Sequence, residues 1–285
     1  MGKTDDFREL KIKAISLRRN ILKMLQKAGS GHTGGSLSIV EILVDLYYRK
    51  MNIGPEIFES KKRDKFVLSK GHGCPALYAV LADLGFFPEE DLWELRQLGS
   101  KLQGHPQLGL PGLEISSGSL GQGLSVAMGM ALADRMDGVD ARVYCLMGDG
   151  ETNEGQVWEA AMTAAHYNLD NLCGIIDFNK LQIDGMCCEV KDMGAYKHKW
   201  ESFGWHAVEV DGHDLEALDK AFEDVEKVKG RPQVVIAHTV KGKGISFIEN
   251  KVEWHGIAPK EDELEKALAE LDEQEKALDA ERKGE

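Results

Sequence analysis

Apolar residues recur along the chain at two different spacings. In some segments they return every three or four positions, as between Phe7 and Ala28, which places them on one face of a helix. In other segments apolar residues follow one another in short, nearly unbroken runs, as expected of a strand buried on both faces. The helices predicted from these spacings cover residues 7–28, 39–50, 75–85, 157–168 and 215–228, and a glycine-rich loop is predicted at 28–36. The predicted strands cover residues 66–69, 142–147, 172–178, 206–210 and 233–240.

The order of these elements indicates the fold class. Short apolar strands that alternate with helices are typical of a parallel sheet with both faces covered. We therefore expect an α/β fold that is doubly wound, with a mainly parallel sheet and helices on both faces. Chains of this length often form a single α/β unit, and we assign residues 1–259 to one domain.

Residues 260–285 form a strongly charged segment with helical periodicity. Leucines lie along one face of it, at positions Leu264, Leu268, Leu271 and Leu278. Such a stripe suits either a short coiled-coil seam or a surface helix packed on its own domain. We favour the second interpretation, because an amphipathic stripe in a globular protein usually faces the core of its own domain.

The composition narrows the class of protein. The 285 residues carry a net charge of −13, which argues against a surface for nucleic acid or anionic membranes. No apolar run reaches the roughly 18 residues of a membrane span, and the N-terminus is charged rather than signal-like. The five cysteines include the adjacent pair Cys187 and Cys188 and lack zinc-site spacing, so we expect reduced thiols in a cytoplasmic protein.

The sequence GDGETNEG, at residues 148–155, places a bare carboxylate, Asp149, directly after an apolar strand. Asn179 follows the next predicted strand, and the carboxyl ends of parallel strands meet at one edge of a sheet. Carboxylate and amide oxygens suit Mg²⁺, which completes its octahedron with water and phosphate oxygens. Gly150 lets a phosphate approach the backbone, and a helix that begins near Glu154 favours an anion there. The alternative is a plain Asp-Gly turn followed by a strand-end Asn cap.

Four histidines stand beside glycine in predicted loops, namely His32, His72, His105 and His255. A single histidine is usually structural, but four with glycine neighbours leave room for a ligand and offer groups that exchange protons near neutral pH. Zinc is the alternative ligand, and the lack of short His-x-x-x-His spacing argues against it. The stretch GSLGQG, at 118–123, lacks the first-strand position of a dinucleotide fingerprint, so we expect it to line a flat aromatic ring instead.

Taken together, these segments resemble a known family. The stretches SGHTGG, SKGHGCPALYA, GHP, SGSLGQGLS, GDGETNEGQVWEA, DFNKLQIDG, KGKG and HGIAP occur in the order and approximate spacing of the N-terminal, diphosphate-binding region of transketolases. The resemblance covers about residues 7–260, and the 28 residues between GDG and Asn179 match the family's thiamine diphosphate and magnesium motif. The series is far more specific than any one of its members.

The resemblance implies roles for the matching residues of this chain. Asp149, Asn179 and the backbone carbonyl of Leu181 would bind Mg²⁺, or Ca²⁺ or Mn²⁺ in its place. Thiamine diphosphate would be contacted by His72, Gly118, Leu120, Gly150, Asn179, Ile183 and His255. The residues implied in catalysis are His32, His72, His105 and His255 around the reacting carbons, with Glu154 and Glu159 at the interface between two cofactor sites.

The resemblance also implies a partner chain. A full transketolase carries a pyrimidine-binding domain, which supplies the glutamate that activates the cofactor and the groups that bind sugar phosphates. This chain ends soon after its first domain, so we expect a separate C-terminal subunit in an α₂β₂ assembly. The expected reaction is transfer of a two-carbon ketol unit from a ketose phosphate to an aldose phosphate.

Alternatives to this reaction stay open at the sequence level. One is another thiamine diphosphate enzyme, such as a transketolase that acts on an unusual sugar, a deoxyxylulose-phosphate synthase or the α-chain of a 2-oxoacid dehydrogenase. Another is a thiamine diphosphate-binding protein without catalytic activity. The four loop histidines favour a sugar substrate over a simple oxoacid, and binding of a diphosphate alone would not require His32 or His105.

Overall fold

The elements of secondary structure alternate along the chain as the apolar spacing indicates. The computed structural model describes residues 4–183 and 185–284, with side chains up to residue 280. Its α-helices are α1 (Phe7–Ala28), α2 (Thr33–Leu37), α3 (Val40–Asp45), α4 (Cys74–Asp83), α5 (Gly123–Met136), α6 (Gly155–His166), α7 (Cys187–Lys191), α8 (Tyr196–Ser202), α9 (Leu215–Glu226) and α10 (Glu261–Gly284). Its strands are β1 (Lys65–Leu68), β2 (Val143–Gly148), β3 (Leu172–Phe178), β4 (Leu181–Gln182), β5 (Gly185–Met186), β6 (His206–Asp211) and β7 (Gln233–His238).

Five of these strands form one parallel sheet, in the order β1-β2-β3-β7-β6. The end of β2 lies beside the end of β3, since Gly148 is paired with Asp177. Strands β4 and β5 form a separate antiparallel pair just after β3. The expected α/β fold with a parallel sheet is confirmed, and all five predicted strands are present to within two residues at each end.

Side chains along each strand alternate between two hydrophobic cores, one on each face of the sheet. In β2, Tyr144 and Leu146 pack in the core that includes α1, α3 and α4. Val143, Cys145 and Met147 pack in the other core, with α5 and α6. Burial on both faces explains why these strands read as unbroken apolar runs in the sequence.

Two predictions for the segment after α1 are wrong in part. The glycine-rich stretch at 28–36 is not loop throughout, because it contains the start of α2, whose five residues are all buried. A β-carbon on Gly35 would lie 3.2 Å from His72 Nε2, so this glycine serves close packing rather than a loop conformation. The helix predicted at 39–50 ends as an α-helix at Asp45 and continues as a π-helical turn over Leu46–Lys50.

Helix α10 packs on the domain rather than projecting from it. Ala267 and Leu271 are fully buried in the core that includes α1, and Leu264 and Leu278 pack at its edge. Leu268, the remaining leucine of the stripe, is only half-buried. The segment is therefore a surface helix packed on the rest of the chain, as the favoured interpretation expected. The division of the chain at residue 259 stays a prediction. None of the described helices is long and apolar enough to span a membrane.

Candidate active site at the carboxyl edge of the sheet

The strand ends converge on a cavity of about 510 Å³ at the carboxyl edge of the sheet, the position where open α/β folds bind ligands. We call it the site cavity. The site residues expected from the sequence that line it are His32, His72, His105, Gly118, Leu120, Asp149, Gly150, Glu154, Asn179, Leu181, Ile183 and His255. Glu159 is the exception, since it lies on the exposed face of α6.

Asp149 is a buried carboxylate at the end of β2, only 4% exposed. Its Oδ1 accepts a hydrogen bond of 2.8 Å from the Gly150 N–H, and its Oδ2 accepts one from the Lys180 N–H. Neither donor carries a charge. Burial, together with the nearby carboxylate of Asp177, raises the pKa of Asp149 to about 6. A cation bound to Asp149 would offset the energetic cost of its buried negative charge, so the carboxylate suits a metal ion.

Asn179 and Leu181 offer uncharged oxygens beside Asp149. The Asn179 Nδ2 donates to Asp177 Oδ2 at 2.9 Å, which leaves Oδ1 as an acceptor that receives the Leu181 N–H at 3.1 Å. Among the described residues no group of three or more His, Cys, Asp or Glu side chains is placed to hold a metal. A cation here would therefore take amide and carbonyl oxygens beside one carboxylate, as Mg²⁺ does.

Asp177 organises this edge of the sheet, although the sequence did not single it out. Its side chain is fully buried and accepts hydrogen bonds from Lys70 Nζ at 2.6 Å, Ser38 Oγ at 2.8 Å and the Thr239 hydroxyl. Burial alone would raise the pKa of Asp177, but Lys70 and these hydroxyls lower it below its usual value. The ionised carboxylate fixes the direction in which the Asn179 amide points.

Two buried lysines line the site cavity and were also missed. Lys70 Nζ is paired with Asp177, whereas Lys241 Nζ contacts two uncharged groups, His255 Nδ1 at 2.8 Å and the Leu181 carbonyl at 3.3 Å. Burial and the nearby Lys70 lower the pKa of Lys241 to about 8. Among the described residues no carboxylate is paired directly with Lys241, so its ammonium group suits an anion such as a diphosphate.

The four loop histidines meet in one cluster. The ring of His32 lies 5.2 Å from that of His72, 5.5 Å from that of His255 and 6.0 Å from that of His105. Burial, then the positive charge of Arg96, lowers the pKa of His32 to about 4. The pKa of His255 is likewise lowered to about 4, by burial and then by the charge of Lys241. The pKa values of His72 and His105 are lowered as well, mainly by burial.

This differs from the sequence expectation, which took the histidines at their ordinary pKa. With lowered pKa values they are neutral imidazoles near pH 7, so each ring has one N–H that can donate and one nitrogen that can accept a hydrogen bond. Such a ring readily accepts a proton only once negative charge develops nearby. His32 Nδ1 is buried without a hydrogen-bond partner among the described residues. An unmatched polar atom of this kind suits a ligand hydroxyl.

The GSLGQG loop lies along the wall of the site cavity. A β-carbon on Gly118, whose φ is +151°, would lie 3.3 Å from the ring of His105, and one on Gly121 would lie 2.7 Å from the Glu154 side chain. The buried carboxylate of Glu151 holds the loop by accepting the Gly121 N–H at 2.8 Å. No described strand between β1 and β2 leads into the loop, which removes the dinucleotide interpretation.

Comparisons with known proteins identify the family of the chain. The family described as transketolase, thiamine diphosphate-binding domain, matches residues 10–278. The chain therefore belongs to the transketolase family, as a thiamine diphosphate-binding domain. Solved transketolases share the fold: that of Campylobacter jejuni superposes with a TM-score of 0.87 at 34% identity, over 94% of this chain and 43% of the larger one.

The relatives of matching length are named as transketolase subunits. The chain is 40% identical over 275 residues to one subunit of the apulose-4-phosphate transketolase of Phocaeicola vulgatus, covering 96% of this chain and 98% of the relative. It is 44% identical over 265 residues to a 6-deoxy-6-sulfo-D-fructose transketolase subunit of a Clostridium species, covering 93% and 96%. Human transketolase is 44% identical over 248 residues. The matched region is 87% of this chain but only 39% of the human protein. These matches make the chain an enzyme subunit of the transketolase class.

Proposed function

We propose that the chain binds thiamine diphosphate and a divalent cation in the site cavity and, with a second subunit, transfers a two-carbon ketol unit between sugars. The observation that carries the proposal is one cavity that joins a buried, uncompensated carboxylate, two buried lysines and four neutral histidines. The thiazolium ring of bound thiamine diphosphate supplies an electron sink for carbon–carbon bond cleavage. The protein residues bind, orient and move protons.

The cation site consists of Asp149, the Asn179 amide oxygen and the Leu181 carbonyl, which is 3.3 Å from Lys241 Nζ. Mg²⁺ is the proposed ion, with Ca²⁺ or Mn²⁺ as substitutes, because all three ligands are oxygens. A cation there offsets the charge of Asp149 and attracts the diphosphate. Gly150 lets the Gln182 side chain pack against the backbone next to Asp149, since a β-carbon at that position would lie 3.0 Å from Gln182.

The diphosphate is proposed to lie beside Lys241, His72 and His255, where the lysines place positive charge. Gly118, Leu120 and Ile183 then flank the rings of the cofactor, as the family resemblance implies. His32 and His105 face the substrate: being neutral, they donate hydrogen bonds to hydroxyl and carbonyl oxygens and accept protons as these groups react.

Glu154 and Glu159 are proposed to act at the contact between two cofactor sites of an α₂β₂ assembly. Both are exposed in this chain, and Glu154 also lines the site cavity, so a second subunit could cover them. The partner is proposed to carry the pyrimidine-binding domain, because this chain corresponds to 39–43% of single-chain transketolases. A cytoplasmic location is kept as a prediction, and all five cysteines are free thiols.

The similarity to the two-chain relatives favours the alternative of a transketolase acting on an unusual sugar over the ordinary ketose phosphates. One relative is named for a sugar phosphate and the other for a sugar sulfonate. We therefore propose a donor ketose with a phosphate or a sulfonate at the end distant from the reacting carbons.

The test is purification of the chain at native expression level with identification of its partner by mass spectrometry. The pair is then assayed with thiamine diphosphate and Mg²⁺ on D-xylulose 5-phosphate, apulose 4-phosphate and 6-deoxy-6-sulfo-D-fructose. Activity in the pair, absent when the two chains are assayed separately, supports the proposal, and the ratio of kcat/KM values identifies the donor. A chain that binds thiamine diphosphate but stays inert with its partner on all three donors would instead be a binding protein.

A further inference from the structure

The segment that follows β7 carries Lys241 into the site cavity. We call residues 239–244 the lysine loop. The Lys241 side chain is buried, and its ammonium contacts His255 Nδ1 at 2.8 Å and the Leu181 carbonyl at 3.3 Å. Neither partner is a carboxylate that would fix the ammonium by charge. The position of this group therefore depends on how the backbone of the lysine loop is held.

Hydrogen bonds hold the loop backbone on each side of Lys241. On the carboxyl side, the Gly242 N–H donates to the Gly34 carbonyl at 3.0 Å. On the amino side, the Val240 N–H donates to a side chain, His213 Nε2, at 2.8 Å. Because Val240 directly precedes Lys241, the bond to His213 fixes the stretch of backbone from which the lysine side chain extends.

The ring of His213 is itself fixed from behind. A backbone N–H can only donate, so Nε2 accepts and the ring proton lies on Nδ1. This N–H donates to Glu41 Oε2 at 2.9 Å, and such a carboxylate contact sets both the tautomer and the orientation of a histidine. Glu41 is in turn held by two hydrogen bonds from Arg18, at 2.6 and 2.8 Å. The accepting nitrogen of His213 is therefore directed at the lysine loop.

His213 reaches the lysine loop from outside the site cavity. It lines a separate cleft of about 290 Å³ beside α1 and α10. The pairing of β6 with β7 brings it there, since Asp211 lies opposite His238 and the Gly212 N–H donates to the His238 carbonyl at 2.8 Å. His213 therefore affects the site through Lys241 rather than by contact with a ligand in the site cavity.

We propose that His213 is a positioning residue, which holds the lysine loop so that the Lys241 ammonium meets the diphosphate of the cofactor. The inference rests on the proposed function and deepens it, because it gives a residue outside the site cavity a share in cofactor binding. A charge-assisted hydrogen bond weakens steeply when its length or angle departs from the optimum. Loss of the bond between His213 and Val240 lets the loop backbone relax and so weakens the contact of Lys241 with the diphosphate.

Two substitutions of His213 separate its two contacts. The amide oxygen of glutamine lies as many bonds from the backbone as Nε2, so His213→Gln keeps an acceptor for the Val240 N–H. The amide nitrogen of asparagine corresponds to Nδ1, so His213→Asn keeps a donor to Glu41 but loses the bond to Val240. Both variants should fold, since Arg18 still pairs with Glu41. His198→Asn, at an exposed side chain of α8, is the control for the substitution itself.

The first measurement is a calorimetric titration of the assembled enzyme with thiamine diphosphate in the presence of Mg²⁺. His213→Asn is expected to raise Kd about 10-fold, the scale of one hydrogen bond, whereas His213→Gln and His198→Asn should stay within about 2-fold of the wild type. His213→Asn is then combined with Lys241→Met, where it should add no more than about 2-fold to the loss caused by Lys241→Met alone. The same 10-fold loss in both backgrounds would show a general effect on the fold and would overturn the inference.

A second measurement needs neither cofactor nor activity. The full chain is treated with acetic anhydride, and acetylation of Lys241 is followed over time by mass spectrometry of its peptide. His213→Asn should raise the rate about 5-fold or more, because the reagent reaches a buried amine only when the loop opens, whereas His213→Gln and His198→Asn should match the wild type. If the assembled enzyme does not bind thiamine diphosphate but acetylation differs in this way, the proposed function fails and the positioning of Lys241 by His213 stands. If cofactor binding depends on Lys241 and His213→Asn changes neither Kd nor the acetylation rate, the inference is wrong and the function stands.

Discussion

At the scale of single residues, Asp149 is the group on which cofactor binding depends. Its carboxylate is buried and accepts hydrogen bonds from two uncharged N–H groups, so it gains from a bound cation. We expect Asp149→Asn in the assembled enzyme to weaken Mg²⁺-dependent binding of thiamine diphosphate at least 100-fold, measured by calorimetry. Tm should not fall, because an amide is cheaper to bury than an unpaired carboxylate. Asp140→Asn, at an exposed position three residues before the same strand, is the matched control. If Asp149→Asn left the titration with thiamine diphosphate and Mg²⁺ unchanged, Asp149 would not be a ligand of the metal ion.

His105 is predicted to act on the substrate rather than on the cofactor. It lies at the end of the cluster distant from Lys241, at 6.0 Å from the ring of His32. His105→Asn should lower kcat about 100-fold, the usual contribution of a proton-transferring group, and should change the Kd for thiamine diphosphate by less than about 3-fold. Steady-state kinetics and a cofactor titration on the same preparation check both parts. A large loss of cofactor affinity would contradict this prediction and would mean that His105 contacts the cofactor.

The residues that could be predicted from the sequence are those marked by their immediate neighbours. Asp149 and the four histidines each stand beside glycine, so the local sequence pattern was enough to find them. Asp177 and Lys70 lie 107 positions apart and form their ion pair only when β1 and β3 enter one sheet. Lys241 likewise owes its position to a distant residue, Leu181. Nothing in the local sequence distinguishes Lys70 and Lys241 from surface lysines.

At the scale of elements, the strands were easier to predict than the helices around the site. Strands buried on both faces are apolar throughout, and this signal is independent of their neighbours. Helix α2 was missed because its five residues, TGGSL, have little helical propensity. It is held by packing instead: a β-carbon on Gly34 would lie 3.0 Å from Lys241 Cγ, and one on Gly35 would lie 3.5 Å from Lys70 Nζ. Tertiary contacts of this kind leave no trace in local sequence.

Helix α10 is expected to stabilise the domain through its buried face. Leu271 is fully buried against the core that includes α1, whereas Leu268 on the neighbouring position of the stripe is half-buried. Leu271→Ala should lower the free energy of unfolding by about 2–4 kcal/mol, the cost of a cavity in a packed core. Leu268→Ala should lower it by less than about 1 kcal/mol. Urea unfolding of both variants measures the difference, and equal losses would mean that the helix packs in another register.

At the scale of the whole molecule, a second charge network joins α1, α3 and the loop after β6, through residues that do not line the site cavity. Glu41 in α3 is buried and accepts two hydrogen bonds from Arg18 of α1, at 2.6 and 2.8 Å. His213, after β6, contacts the same carboxylate through Nδ1 at 2.9 Å, and Lys11 and Lys243 line the same cleft. Burial alone would raise the pKa of Glu41, but Arg18 and His213 lower it to about 2.

This shift predicts how stability depends on pH. The folded-state pKa of Glu41, about 2, is below the value of 4.5 for the unfolded chain. Its contribution is therefore fully present above about pH 4.5 and is lost as the pH falls toward 2, an effect on the order of 3 kcal/mol. Glu41→Gln should be less stable than the wild type at pH 7, and the two stability curves should converge as the pH falls through this window. Urea unfolding at a series of pH values tests this, with the exposed Glu216→Gln as the control whose curve stays parallel to that of the wild type. A constant gap between the Glu41→Gln and wild-type curves down to pH 2 would contradict the assignment, because the lost contact would then owe nothing to the ionisation of Glu41.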